Sequence, residues 1–241
     1  MKMSTLACCL LLSLSAAPLA QAQAQAQEEE APVSPFTGTF AVTSDYVFRG
    51  VSQTNGDPAF QAGLTYKHPS GFYVAAWTSN VDPGEGDPDW EVDTTVGYGV
   101  ELGKQWDLDV AVTRYNYPGA GETNYNELVT KTTFLKTYSL TVGYTNDLYG
   151  TKTDGYYYAL DANWPLPHKF SIGAHVGHTR YTSALKQVDH DYNDYAITVG
   201  KSFGPLALNI GYYDTSEPAE FGFGRPNTEG RTVATATVTW P

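Results

Sequence analysis

The sequence predicts an all-β transmembrane protein, an antiparallel up-and-down barrel of about twelve strands. Three observations predict it. Apolar and polar residues alternate with period two from Phe36 onward, which puts one face of each segment in a different solvent from the other. The connections between these segments alternate between short and long. After residue 27 no apolar run approaches the roughly 18 residues that a spanning helix needs.

The chain begins with an export signature. Lys2 supplies a positive start, Leu6 to Leu14 an apolar core too short to span a bilayer, and Ala16, Ala17 and Ala20 the small residues before cleavage. The run Ala20 to Gln27 offers several A-x-A sites, so 1–26 is predicted to be a signal peptide and its cut is not unique. Cys8 and Cys9 leave with it, so the barrel is built without disulfides. Residues 27–35 are acidic and contain proline, and read as a disordered periplasmic tail before a barrel over 36–241. The formal net charge of −12 becomes one unit more negative when Lys2 is lost. That balance excludes nucleic acid as a partner.

The alternation predicts twelve strands at about 37–49, 58–67, 71–80, 90–102, 106–117, 125–135, 137–146, 155–164, 170–181, 191–203, 206–214 and 230–240. Trp90 to Leu102 shows it best: Trp90, Val92, Val96, Tyr98, Val100 and Leu102 share one face, and Glu91, Asp93, Gly97, Gly99 and Glu101 the other. An even count returns both ends of the domain to one side. Every proline after residue 35 falls in or beside a predicted connection, so none interrupts a ladder. Aromatic residues gather at the short-turn ends of the apolar faces: Tyr66, Phe72, Trp106, Phe134, Tyr138, Trp164, Phe170, Phe203 and Trp240. Such rings suit the headgroup level of outer-membrane lipid. A soluble sandwich is the competing fold, but it gives no reason for this clustering.

Thr43 to Thr54 reads TSDYVFRGVSQT, and Phe72-Tyr73, Trp77-x-Ser79-Asn80-Val81, Tyr115-x-Tyr117-Pro118-Gly119, Trp164-Pro165-Leu166-Pro167 and Gly200-Lys201-Ser202-Phe203 come after it. On these residues the chain closely resembles the TorF-type family of porin-like proteins of proteobacteria, over about 36–240. The resemblance implies an outer-membrane barrel in the cell envelope and names no solute. The chain departs from the usual aromatic end of such barrels by finishing Trp240-Pro241. Barrel-insertion machinery, which acts on that end, is an expected partner, along with lipopolysaccharide and small solutes.

The predicted lumen face carries Glu91, Asp93, Glu101, Asp107, Asp109, Glu127, Asp161 and Asp194, against Lys67, Lys131 and His175. An acid excess in a narrow channel favours cations. The competing reading is a plugged lumen in which these groups pair and fill space. Asp45 and Arg49 are about 13 Å apart on an extended strand at roughly 3.3 Å per residue, too far for a direct ion pair. With Arg114 and Arg180 near other outer strand ends, Arg49 is expected either in a basic ring facing the acids or as a clamp on the first hairpin.

No cofactor or metal is expected. His68-Pro69-Ser70 sits in a predicted turn, and neither His175 nor His178 has a serine beside it, which argues against a lipid-modifying enzyme. Asp189-His190-Asp191 points adjacent side chains to opposite faces. The acids of Val81 to Asp89 are read as solvating a loop, before any role in binding divalent cations between lipopolysaccharides or in an adhesive barrel.

Overall fold

The computed structural model describes residues 34–82, 88–182, 191–217 and 219–241. The expected export signal, residues 27–33 of the tail, Glu85, Asp87, Asp189 and His190 lie outside them. The strands in chain order are β1 Phe36–Thr43, β2 Val47–Phe48, β3 Val51–Ser52, β4 Ala59–Lys67, β5 Phe72–Asn80, β6 Trp90–Leu102, β7 Trp106–Asn116, β8 Tyr125–Phe134, β9 Tyr138–Thr145, β10 Gly155–Leu166, β11 Phe170–Tyr181, β12 Tyr192–Phe203, β13 Leu206–Thr215 and β14 Arg231–Trp240. All but β2 and β3 form one closed antiparallel barrel of twelve strands, each paired with its neighbours along the chain. Closure is made by β1, which pairs Thr39 with Thr239 on one side and with Gly63 on the other. No described helix is long and apolar enough to cross a membrane.

The predicted alternation sets which face turns inward. Glu91, Asp93 and Thr95 are buried, whereas Trp90, Val96 and Tyr98 on the same strand are exposed to the outside. Around the whole barrel the outer face is an apolar band: Phe60, Leu64, Val96, Leu160, Ile197 and Ile210 are each more than 50 % exposed. Water disfavours such a surface by roughly 25 cal/mol per Å², and a closed ladder leaves no strand edge to satisfy.

The inner face is packed with polar side chains, and glycines make the room. A Cβ on Gly97 would collide with the Tyr73 ring, and one on Gly177 with the Asp194 carboxylate. These close approaches let Tyr73 and Asp194 lie along the wall.

Two strand boundaries differ from the sequence expectation by more than one residue. The first strand ends at Thr43 instead of running to Arg49. The connection from 44 to 58 then folds into the barrel and carries the β2–β3 ribbon. Its alternating pattern is that of a strand because β2 and β3 are strands, paired with each other and not with the wall. The second difference is β10, which continues through Pro165 to Leu166, opposite Ser171 and Phe170. Proline is tolerated there because it stands in the last ladder positions, at the rim.

A lumen crossed by a tethered ribbon

The ribbon turns at Arg49-Gly50. Both residues have positive φ, 49° and 79°, which is the backbone of a two-residue type I′ hairpin. Gly50 reaches the wall, where a Cβ would lie 2.5 Å from Thr215 Cγ2 and 2.7 Å from Asp194 Cβ. Phe48 lies 6.2 Å from the Tyr115 ring, and Val51 packs in a buried cluster with Tyr115, Tyr125, Leu148, Tyr181 and Tyr192. Tyr46 packs with Ala59 and Val81 on the near side.

Polar links hold the ribbon at both ends. At its base, Asp45 Oδ1 accepts from Ser52 Oγ at 2.7 Å and Thr54 Oγ1 at 2.9 Å, and its Oδ2 accepts from Arg231 Nη1 at 2.7 Å. The Gln53 amide donates to the Tyr46 carbonyl at 2.6 Å. At its tip, Arg49 Nη2 donates to both oxygens of Glu127, at 2.7 and 2.8 Å, and the guanidinium covers the Tyr157 ring at 4.1 Å. Burial opposes that charge, but Glu127 outweighs it and holds the guanidinium above its ordinary value. Asp45 and Arg49 therefore each pair with a distant strand, not with one another.

The inward face carries Glu91, Asp93, Glu101, Asp107, Asp109, Glu127, Lys131, Asp161 and Asp194, with Lys67 and His175. Many are engaged. Glu127 also accepts from Tyr115 Oη at 3.1 Å, Glu91 from Tyr117 Oη at 3.2 Å, and Asp109 from Tyr73 Oη at 2.9 Å. His175 bridges Asp161 and Asp194, each ring nitrogen 2.7 Å from a carboxylate oxygen, and Tyr157 Oη donates to Asp194 at 3.1 Å. At the short-turn rim Lys136 joins Glu101 at 3.3 Å and Asp107 at 2.6 Å. Asp93 is fully buried, and neither of its oxygens has a hydrogen-bond partner among the described residues.

The basic ring expected from Arg49, Arg114 and Arg180 is not assembled. Arg114 pairs in register with Thr94 and Arg180 with Tyr156, which places both on the outward face, one residue out of phase with the lumen. Of the three, Arg49 alone reaches the interior, and it does so from the ribbon. Arg231, Lys136 and the tyrosines 73, 115 and 157 complete the lumen network, and no lumen contact of theirs is legible in the sequence. The tyrosines carry one signal there, their place on the inward phase of the alternation. Nothing in the sequence joins Arg231 to Asp45.

The aromatic residues predicted at the short turns stand on the outer face there. Phe72, Trp106, Tyr138, Trp164, Phe203 and Trp240 are exposed. Rings pair along this rim: Phe36 with Tyr66 at 5.1 Å, Trp106 with Phe134 at 4.5 Å, and Tyr138 with Trp164 at 6.3 Å. Lys201 Nζ sits 4.2 Å above Phe170.

Solved structures share this architecture at low sequence identity. The KdgM porin is similar over 85 % of this chain and 98 % of its own, with 8 % identity and a TM-score of 0.52. The NanC porin is similar over 86 % of this chain and 99 % of its own, with 11 % identity and a TM-score of 0.55. These likenesses show the fold. No curated protein sequence matches the chain. A family model matches residues 26–240, and the chain belongs to that family, described as bacterial protein of unknown function (Gcw_chp).

Proposed function

We propose that the protein is an outer-membrane porin-like channel for passive diffusion of small solutes, whose lumen is narrowed by the β2–β3 ribbon. One observation carries this reading: a closed barrel with an apolar outer band encloses a charged lumen, and the hairpin folded into that lumen is held at its tip by side-chain contacts. An apolar exterior requires lipid, and a charged interior serves polar solutes. The fold shared with two porins and the TorF-type sequence resemblance support the same reading, as does the aromatic rim at one end.

Cation preference belongs to this proposal. Glu91, Asp93 and Asp109 have no ion pair among the described residues. A ribbon that withdraws uncovers acids. The alternative is a plugged structural or adhesive barrel, favoured by how well the ribbon is packed. A lipid-modifying enzyme has less support: Ser70 Oγ lies 2.8 Å from His68 Nδ1 in an exposed turn, and the lumen histidine contacts aspartates and a tyrosine.

Planar-bilayer conductance of the refolded protein under a salt gradient tests the proposal. The expected result is discrete steps with a reversal potential of cation sign, weakened in Asp93→Asn/Glu101→Gln. Folded, heat-modifiable protein that gives no steps, with or without the Arg49 tether, would establish the plugged barrel instead.

A further inference from the structure

Beside the ribbon tip lies a cavity of about 130 Å³ whose lining includes Arg49, Glu127, Lys131, Asp161, His175 and Asp194. Strand register explains why charges of both signs meet there. Asp109 on β7 stands opposite Lys131 on β8, and Asp161 on β10 opposite His175 on β11, so signs alternate along this wall. The wall formed by β13, β14, β1 and β4 instead presents Asn209, Thr235, Thr237, Thr39 and Gln61, and is charged only at its ends, at Lys67 and Arg231.

Most cavity charges are already engaged. Arg49 is held by Glu127, and His175 is held by Asp161 Oδ1 and Asp194 Oδ1. Lys131 differs. It is 7 % exposed, and among the described residues no carboxylate oxygen lies within 4.0 Å of its ammonium. An ammonium so placed has three donors and little water, a state that favours an anionic partner. Asp161 offers the complement: its side chain is 22 % exposed, and only Oδ1 enters the histidine bridge.

We propose that this cavity is a binding subsite for small zwitterionic solutes of the amino-acid class, with the solute carboxylate on Lys131 and its ammonium on Asp161. A simple anion placed on Lys131 would meet the flanking acids, and a simple cation on Asp161 would meet Lys131. A solute carrying both charges avoids each repulsion. Size agrees, because a cavity of about 150 Å³ accommodates benzene, and glycine and alanine have no more heavy atoms. Delivery of the solute rests on the channel reading; binding does not.

The test is saturation-transfer NMR with glycine on the refolded full chain in detergent micelles, with acetate, methylammonium and ethylene glycol as competitors. Glycine signal is expected for the wild type and for Lys131→Arg. It is expected to fall about tenfold in Lys131→Met and in Asp161→Asn, the loss of one charged contact. Heat-modifiable migration of each variant establishes that the barrel is folded. No glycine signal in the wild type, an unchanged signal in both folded variants, or displacement by acetate alone as effective as by glycine would overturn the subsite. Binding without bilayer conductance removes the channel reading and leaves the subsite standing; conductance without binding does the reverse.

Discussion

At the residue scale, the contact between Arg49 and Glu127 holds the ribbon tip against the lumen wall. Glu127 is 1 % exposed at its side chain and accepts three hydrogen bonds, two of them from one guanidinium nitrogen. Glu127→Gln leaves a buried guanidinium without its counter-charge, a change worth roughly 3 kcal/mol. That loss should speed amide exchange at Val51 and Ser52 by about a hundredfold, with strand amides of β10 and β11 unaffected. Gly50→Ala attacks the same tip sterically. It combines a positive φ with a Cβ inside contact distance of Thr215 and Asp194. The variant is expected to push the ribbon off the wall and expose the peptide bond after Arg49 to trypsin, while the wild type stays uncut there. Equal resistance in both would mean that the ribbon has room the contacts do not show.

At the element scale, the strands are governed by which solvent each face meets. Leu160 is 58 % exposed at the middle of β10, so Leu160→Arg places a charge in the apolar band. The expected loss is roughly 2–4 kcal/mol in urea unfolding from lipid vesicles. The turn between β8 and β9 behaves differently. Burial pulls the Lys136 ammonium down, but hydrogen bonds and charge from Asp107 and Glu101 outweigh it and raise its pKa. A raised amine pKa adds stability that is complete below the ordinary lysine range and is lost as pH rises through the folded value. Because its side chain is 55 % exposed, Lys136→Gln should change stability by less than about 1 kcal/mol at neutral pH. A loss as large as that of Leu160→Arg would show that the rim pair is not solvent-screened.

At the scale of the whole molecule, closure joins residues that are far apart in sequence. Asp45 meets Arg231 across 186 positions, and Thr43 meets Thr235 across 192, because β14 lies beside β1. Separating them requires opening the β1–β14 seam. Asp45→Asn therefore is expected to loosen both the ribbon base and the seam. The readout is a lower temperature for the shift from heat-modifiable to unfolded migration, and Arg231→Ala should lower it by a similar amount.

The barrel itself is legible in the chain. Period two in Trp90–Leu102 and Tyr125–Phe134 dictates which side chains face in, and a one-residue slip would expose every one of them to the wrong solvent. That local rule also makes the lumen acids and the aromatic rim readable. The same periodicity is silent on what β2 and β3 pair with, because a strand pattern carries no address. Three features emerge with the closed fold alone. The connection 44–58 turns inward, Arg49 enters the lumen on the ribbon, and Lys131 is buried with no carboxylate in contact among the described residues. Period and turn length are local properties of a chain, whereas ion pairs form between whichever charges closure of the barrel brings within reach.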